Sequence, residues 1–188
     1  MTIAELEQFR APRPRRADGA RNFDAIVLAA RAAFRRDGAD VALEAIADAA
    51  GVGIATLYRN FPTRESLIQH LYIDEIESIV ADAQAVEGLE PWPALLAWMH
   101  RFADRIGAKN ALATTLDPSG DVYEACTRTI IATALPIVER ARAAGELDPG
   151  ISESDLTRGV YGIATMPVDS ETQRHRVLDA LMAGMRRG

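Results

Sequence analysis

Two glycines, in Gly51-Val52-Gly53, interrupt the apolar run between Leu43 and Phe61 and leave a segment of seven or eight residues on either side. Helices that short do not hold themselves together in water, where about 12–15 residues are needed even for good helix formers. Tertiary packing must therefore supply their stability. The sequence offers it: Ile46, Val52, Leu57 and Phe61 can form one compact core with Ile26, Ala30 and Phe34 of the preceding helical pattern. Ala47 is small where one short helix must let another approach. Gly51 stands where the turn needs a positive φ, which glycine adopts cheaply. The expected unit is three helices containing a helix-turn-helix.

The second short segment, Ile54 to Asn60, is about 10 Å long at 1.5 Å per residue, against a DNA major groove about 12 Å wide. With Leu57 and Phe61 turned inward, Gly53, Ala55, Thr56, Tyr58, Arg59 and Asn60 are left on the outside. Thr56 and Asn60 can hydrogen-bond, Arg59 can pair with phosphate or guanine, and Tyr58 can reach a phosphate oxygen or pack on a sugar. Arg64 opens the next helix, whose N-terminal amides also favour an anion. A plainer reading stands beside this one. Short helix pairs around a glycine turn are common in α-bundles, Tyr58 and Phe61 would then be core, and Arg59 a solvated charge. Periodicity leaves both open.

The rest of the chain keeps helical spacing, with no strand-like alternation of useful length, so the fold class is all-α with about nine helices. Residues 1–20, rich in Pro, Arg and Gly, read as a mobile basic arm. Helical patterns follow over 22–38, ended by Gly38, then over 43–50, with Asp40 as a cap, and over 54–60. A longer helix starts at Thr63, whose spacing to Ser66 is close to a capping box. Further helices are expected from Pro91 to Gly107, over a smaller piece at 110–116, and from Asp121 to about Ala144 with a bend at Pro136. The last two are expected over 152–165, capped by Ser152, and near 171–186.

Composition removes several classes. Residues 1–70 hold ten Arg and nine acids, whereas the remainder is strongly acidic, for a net charge of −6. Bulk charge therefore lends no support to nucleic-acid binding, although a local basic face in the first third, Arg13, Arg15 and Arg16 included, can still meet phosphates. The single cysteine, Cys126, excludes an intrachain disulfide and reads as a buried thiol in a reducing cytosol. No apolar run approaches 18 residues and the N-terminus lacks a secretory pattern, so a cytoplasmic protein with no membrane partner is expected. The histidines, His70, His100 and His175, stand in no nucleophile or zinc motif. His70 and Asp74, one helical turn apart, are a spacing common by chance. No catalytic residue, metal or cofactor is expected.

Residues 22–72 resemble the DNA-binding domain of the TetR family of bacterial transcriptional regulators. The resemblance rests on I..AA..AF...G from Ile26 to Gly38, IA.AAGV from Ile46 to Val52, TLYRNF from Thr56 to Phe61 and TRESL from Thr63 to Leu67. The string GVGIATLYRNFPTRE is similar to an actinobacterial subgroup. The resemblance implies base or phosphate contacts from Thr56, Tyr58 and Arg59 and a phosphate contact from Arg64, with Gly53 and Asn60 beside them. Departures lie at Val41 and Ala42, where many members carry a hydroxyl, and at Gly53 and Ile54, where a serine and a polar residue are common.

The resemblance further implies a domain plan: an arm over 1–20, a helix-turn-helix domain over 21–67, and a helical ligand-binding and dimerisation domain over 68–188. Its expected partners are a palindromic operator in double-stranded DNA, a second copy of the chain, and a small-molecule effector that releases a repressor from DNA. The effector pocket would draw on Trp98, Met99, Phe102, Tyr123, Cys126, Ile130 and Tyr161, with His100, Arg101 and Arg105 as an anion site or a solvated face. The homodimer would use Leu156, Val160, Ile163, Val177, Leu178, Leu181, Met182 and Met185, unless these stripes only face their own core. The alternative function is a ligand-independent DNA-binding and dimerisation module, and a remote one is an enzyme on a helical scaffold.

Overall fold

The computed structural model describes residues 3–38, 40–113, 116–117 and 119–187, and these are helical apart from turns and one isolated antiparallel bridge between Leu147 and Arg186. The helices are α1 (Ile3–Leu6), followed by a 3-10 turn (Glu7–Phe9), then α2 (Ala17–Asp37), α3 (Leu43–Ala49), α4 (Ile54–Asn60), α5 (Arg64–Gln84), α6 (Pro91–Ala113), α7 (Asp121–Ala143), α8 (Glu153–Thr165) and α9 (Glu171–Met185). The all-α expectation holds. Two boundaries differ, the end of α6 and the start of α2. α6 runs through Gly107 to Ala113, so the separate piece expected at 110–116 does not form, and its last part falls partly outside the described residues. A single glycine in a helix costs about 1 kcal/mol relative to alanine, too little to break a long apolar helix. α7 is a single helix across Pro136, as expected, although a prolyl nitrogen cannot donate to the carbonyl one turn before it.

The chain divides into two compact units, residues 1–75 with 109–127 and residues 76–108 with 128–188. In the first, α2 presents Phe23, Ile26, Ala30, Ala33 and Phe34 as one buried stripe. Gly38 (φ 77°) closes the helix, its amide donating to the Phe34 carbonyl. α2 opens at Ala17, earlier than expected, and the residues before it carry anchors rather than forming a detached arm. Leu6 is fully buried, Arg10 donates to Asp74 Oδ1 at 2.6 Å, and Arg13 grips both oxygens of Asp24. Arg31 takes the other Asp74 oxygen at 2.8 Å. Asp74 is thereby held by two guanidiniums, with His70 Nε2 4.0 Å from its Oδ1.

In the second unit, α8 and α9 pack through Leu156, Val160, Ile163, Leu178, Met182 and Met185, all buried within the chain itself. A Cβ on Gly159 would sit 3.0 Å from Leu181 Cδ2, so the absence of a side chain there permits the close approach. Ser152 and Asp155 form a full capping box at the start of α8, as the sequence suggested for Ser152. At the other end Arg174, from α9, is buried and donates to the carbonyls of Ile163 and Ala164. A cation there satisfies the last carbonyls of α8.

Candidate nucleic-acid interface

α3 and α4 are joined by a tight turn with a defined hydrogen-bond pattern. The amide of Gly51 donates to the Asp48 carbonyl and that of Val52 to the Ala47 carbonyl, both at 3.0 Å. This is a Schellman stop, which needs a left-handed residue at its hinge, and Gly51 supplies it with φ 67°. Gly53 is then the N-cap of α4, and its carbonyl accepts from the amides of Thr56 and Leu57. Nothing lies within 4 Å of where its Cβ would be, so the glycine here opens space without a steric demand. The cap expected from Asp40 is absent: α3 starts at Leu43 with Ala42 at the cap position and no side-chain bond.

The inward side of α4 is firmly placed. Leu57 and Phe61 are both at 0% exposure, and Phe61 meets Phe23 with ring centroids 4.9 Å apart. His70 packs edge-on against both rings. Burial lowers the His70 pKa, against the upward pull of Asp74, so the ring is neutral at neutral pH. Phe61 ends α4 in an extended conformation, which the following Pro62 favours. Thr63 and Ser66 then bond reciprocally, each backbone amide to the other's hydroxyl, and start α5. Val52 is half-buried, less committed to the core than expected.

On the outward side Tyr58 keeps 44% exposure, and Gly53, Ala55 and Arg59 are exposed beside it. Among the described residues Arg59 bonds only within its own helix, donating to Thr56 Oγ1 at 3.1 Å, and Asn60 donates to the Thr56 carbonyl. The predicted residues Gly53, Thr56, Tyr58, Arg59 and Asn60 therefore share one side of one helix. Arg64 is placed differently. It is half-buried and donates to the Val41 carbonyl at 2.6 Å, tying the start of α5 to the approach to α3. Next to α4 lies a cleft of about 640 Å³, bounded by residues 9–12 and 14–16, by Asp18, Gly19 and Asn22 of α2, and by Thr56, Arg59, Asn60, Pro62 and Ser66. Arg15 and Arg16 in its wall are exposed, with no ion pair among the described residues. A helix with a buried apolar side, an open polar side and unpaired arginines alongside it has the form of a DNA-reading element.

The other predicted sites are distributed as follows. Trp98, Met99 and Phe102 are buried on one face of α6 in the second unit, with Trp98 stacked on Phe102 at 5.2 Å. Ile130 is half-buried. Cys126 is a buried free thiol and Tyr123 stacks on Tyr72, both in the first unit. Tyr161 is exposed, so it lines no interior cavity of the single chain. Arg105 pairs with Asp82, Arg101 lies 3.9 Å from the same carboxylate, and His100 meets Asp179, so this side of α6 is an ion-paired face. Of the eight residues expected at a dimer interface, six are buried by the chain's own packing; Val177 is exposed and Leu181 half-buried.

The fold and this helix pair define a helix-turn-helix transcriptional regulator. Residues 26–71 match the family described as bacterial regulatory proteins, tetR family, and residues 90–187 match the SbtR-like transcriptional regulator C-terminal domain. The chain belongs to the TetR family. A TetR transcriptional regulator from Streptomyces coelicolor is 37% identical over 87% of this chain and 98% of its own, with a TM-score of 0.69. A TetR transcription regulatory protein from Mycobacterium vanbaalenii is 27% identical over 93% and 100% of the two chains, with a TM-score of 0.68. FadR from Bacillus subtilis, solved in complex with stearoyl-CoA, shares the fold at 16% identity over 87% and 99%, with a TM-score of 0.65. A search of curated proteins finds no significant match. No helix among the described residues is long and apolar enough to cross a membrane.

Proposed function

We propose that this chain is a dimeric transcriptional repressor that reads a palindromic operator through α4 and is released from it by a small-molecule ligand. The observation that carries the reading is the two-sided character of α4. Leu57 and Phe61 are fully buried while Tyr58, between them in sequence, is 44% exposed with Arg59 beside it. A tyrosine held out by a rigid core, with no partner among the described residues, is free to make a contact with DNA. Thr56, Arg59 and Asn60 supply hydrogen bonds to bases or phosphates, Gly53 allows the backbone close to the groove wall, and Arg15 and Arg16 meet the flanking backbone. Arg64 acts first through Val41, by fixing the helix pair, and adds charge at the same edge.

A two-fold dimer gives so short a helix its specificity, by reading two half-sites about 34–36 Å apart. Family membership supports it, as does the surface left on α8 and α9, where Tyr161, Gly162, Val177, Ala180, Ala183 and Gly184 are exposed. These residues, with Leu181, are where a second copy would meet the chain. A ligand role is supported by Trp98, whose Nε1 is buried with no hydrogen-bond partner among the described residues. Leaving a buried donor unpaired costs about 1–3 kcal/mol. An effector with an apolar body and one acceptor would satisfy it, with Met99 and Phe102 alongside. The acyl-CoA carried by the Bacillus relative is one such shape.

Replacing Tyr58 and Arg59 with alanine tests the reading. Operator affinity should fall at least tenfold while the helical circular dichroism and the thermal midpoint stay unchanged. Equal affinity in the double variant would remove α4 from the interface.

A further inference from the structure

The chain holds three histidines. His70 is committed to the aromatic core of the first unit. The other two meet in the second unit, in a cluster that DNA reading does not use. α6 carries His100 and Asp104, and α9 carries Glu171, His175 and Asp179, at four-residue intervals that put each set on one helix face. His175 Nε2 lies 2.7 Å from Asp104 Oδ1, and His100 Nε2 lies 2.7 Å from Asp179 Oδ1. The two imidazoles stand edge to face, with centroids 4.8 Å apart. One ligand atom each from Asp104, Glu171 and His175 lies within 4.8 Å of the other two.

We propose that this cluster is a binding site for a divalent transition cation of the zinc class, clamped between α6 and α9. Asp104, Glu171 and His175 are its ligands, with solvent completing the coordination, and the His100–Asp179 pair stands beside them. Two histidine–carboxylate pairs would be complete as hydrogen bonds. Glu171, one turn before His175 and converging on the same point, is the group such pairs do not need and a metal does. Metal–nitrogen and metal–oxygen bonds of about 2.0–2.2 Å set the ligand atoms of a tetrahedral ion roughly 3.3–3.5 Å apart. The 2.7 Å contact between His175 and Asp104 must therefore open by under about 1 Å as the cation replaces the shared proton. Glu171 gives one oxygen to Arg174, at 3.1 Å, and has the second for the ion. Imidazole with carboxylate suits zinc, cobalt or nickel better than calcium or magnesium, which favour all-oxygen sets. The only thiol, on Cys126, is buried in the first unit and offers no rival ligand.

The test is a titration of chelator-treated, full-length protein with cobalt(II), followed by its visible ligand-field absorption and then by displacement with zinc(II). The expected result is one ion per chain. His175→Ala and Glu171→Gln should each weaken binding at least tenfold, with unchanged helical circular dichroism. Both side chains are well exposed, at 40% and 69%, so neither substitution threatens the core. Saturating zinc should raise the thermal midpoint of the parent chain and leave that of His175→Ala in place. No saturable binding, or equal affinity in the parent and both variants, overturns the site.

Discussion

α3 and α4 are seven residues each and have no side-chain cap at either N-terminus, whereas α8 and α9, of thirteen and fifteen residues, are each opened by a serine that accepts from an amide in its first turn. The first pair borrows all its stability from outside itself: from Phe23, Ile26, Ala30 and Phe34 of α2, from the Gly51 hinge, and from Phe61. The second pair has local sources as well, in the Ser152–Asp155 box and in Arg174 on the last carbonyls of α8. This dependence means that the geometry of α4 is fixed from beneath. Its outward residues, Tyr58 and Arg59 among them, are left exposed rather than packed into that core. On α8 and α9 the exposed surface includes a patch of apolar or small residues, Tyr161, Gly162, Val177, Ala180, Ala183 and Gly184, among charges such as Arg158 and Arg176.

Substitutions in the two pairs can break or sharpen this contrast. The largest effect belongs to Phe61→Ala, which opens the aromatic cluster under α4 and should cost about 3–5 kcal/mol in denaturant unfolding. A loss under 1 kcal/mol would show that α4 does not lean on that core. Gly51→Ala comes next. It forces a left-handed alanine into the Schellman hinge at a cost of about 1–2 kcal/mol, read from the same unfolding curves. Ser152→Ala should cost about 1 kcal/mol by removing the α8 capping box, a local loss that leaves α4 and DNA binding untouched. The smallest effect is a gain. Gly53→Ser supplies the cap that α4 lacks, in open space, and should raise stability by a few tenths of a kcal/mol in the thermal midpoint. A destabilised Gly53→Ser chain would mean that the glycine has a steric role at this position.

What could be read from the sequence follows the range of the interactions involved. The glycine turn, the inward Leu57 and Phe61 and the outward Thr56, Tyr58, Arg59 and Asn60 all lie within one short stretch, so spacing alone arranges them. The Thr63 and Ser152 caps were legible for the same reason. Long-range pairings were not. Arg10 reaches Asp74 across 64 positions, His175 meets Asp104 across 71, and His100 meets Asp179 across 79. Nothing local marks any of these as partners. Arg64 read as a phosphate ligand because its helix start favours anions, and only the fold reveals the Val41 carbonyl in its reach. The apolar stripes of α8 and α9 carried the opposite ambiguity: helical spacing marks a buried face without saying whose surface buries it. Packing within the chain accounts for Leu156, Val160, Ile163, Leu178, Met182 and Met185, and leaves Val177 exposed and Leu181 half-buried.

The central claim is that α4, set out by its core and doubled by a two-fold axis, reads DNA. Selection of binding sites from a random double-stranded pool tests it most directly, run in parallel on the purified parent chain and on the variant with Tyr58 and Arg59 replaced by alanine. The account predicts a palindrome with half-site centres about 34–36 Å apart, roughly one helical turn or a multiple of it, enriched by the parent and lost or strongly degraded in the variant. No enrichment by the parent, or the same palindrome recovered by both, would contradict it.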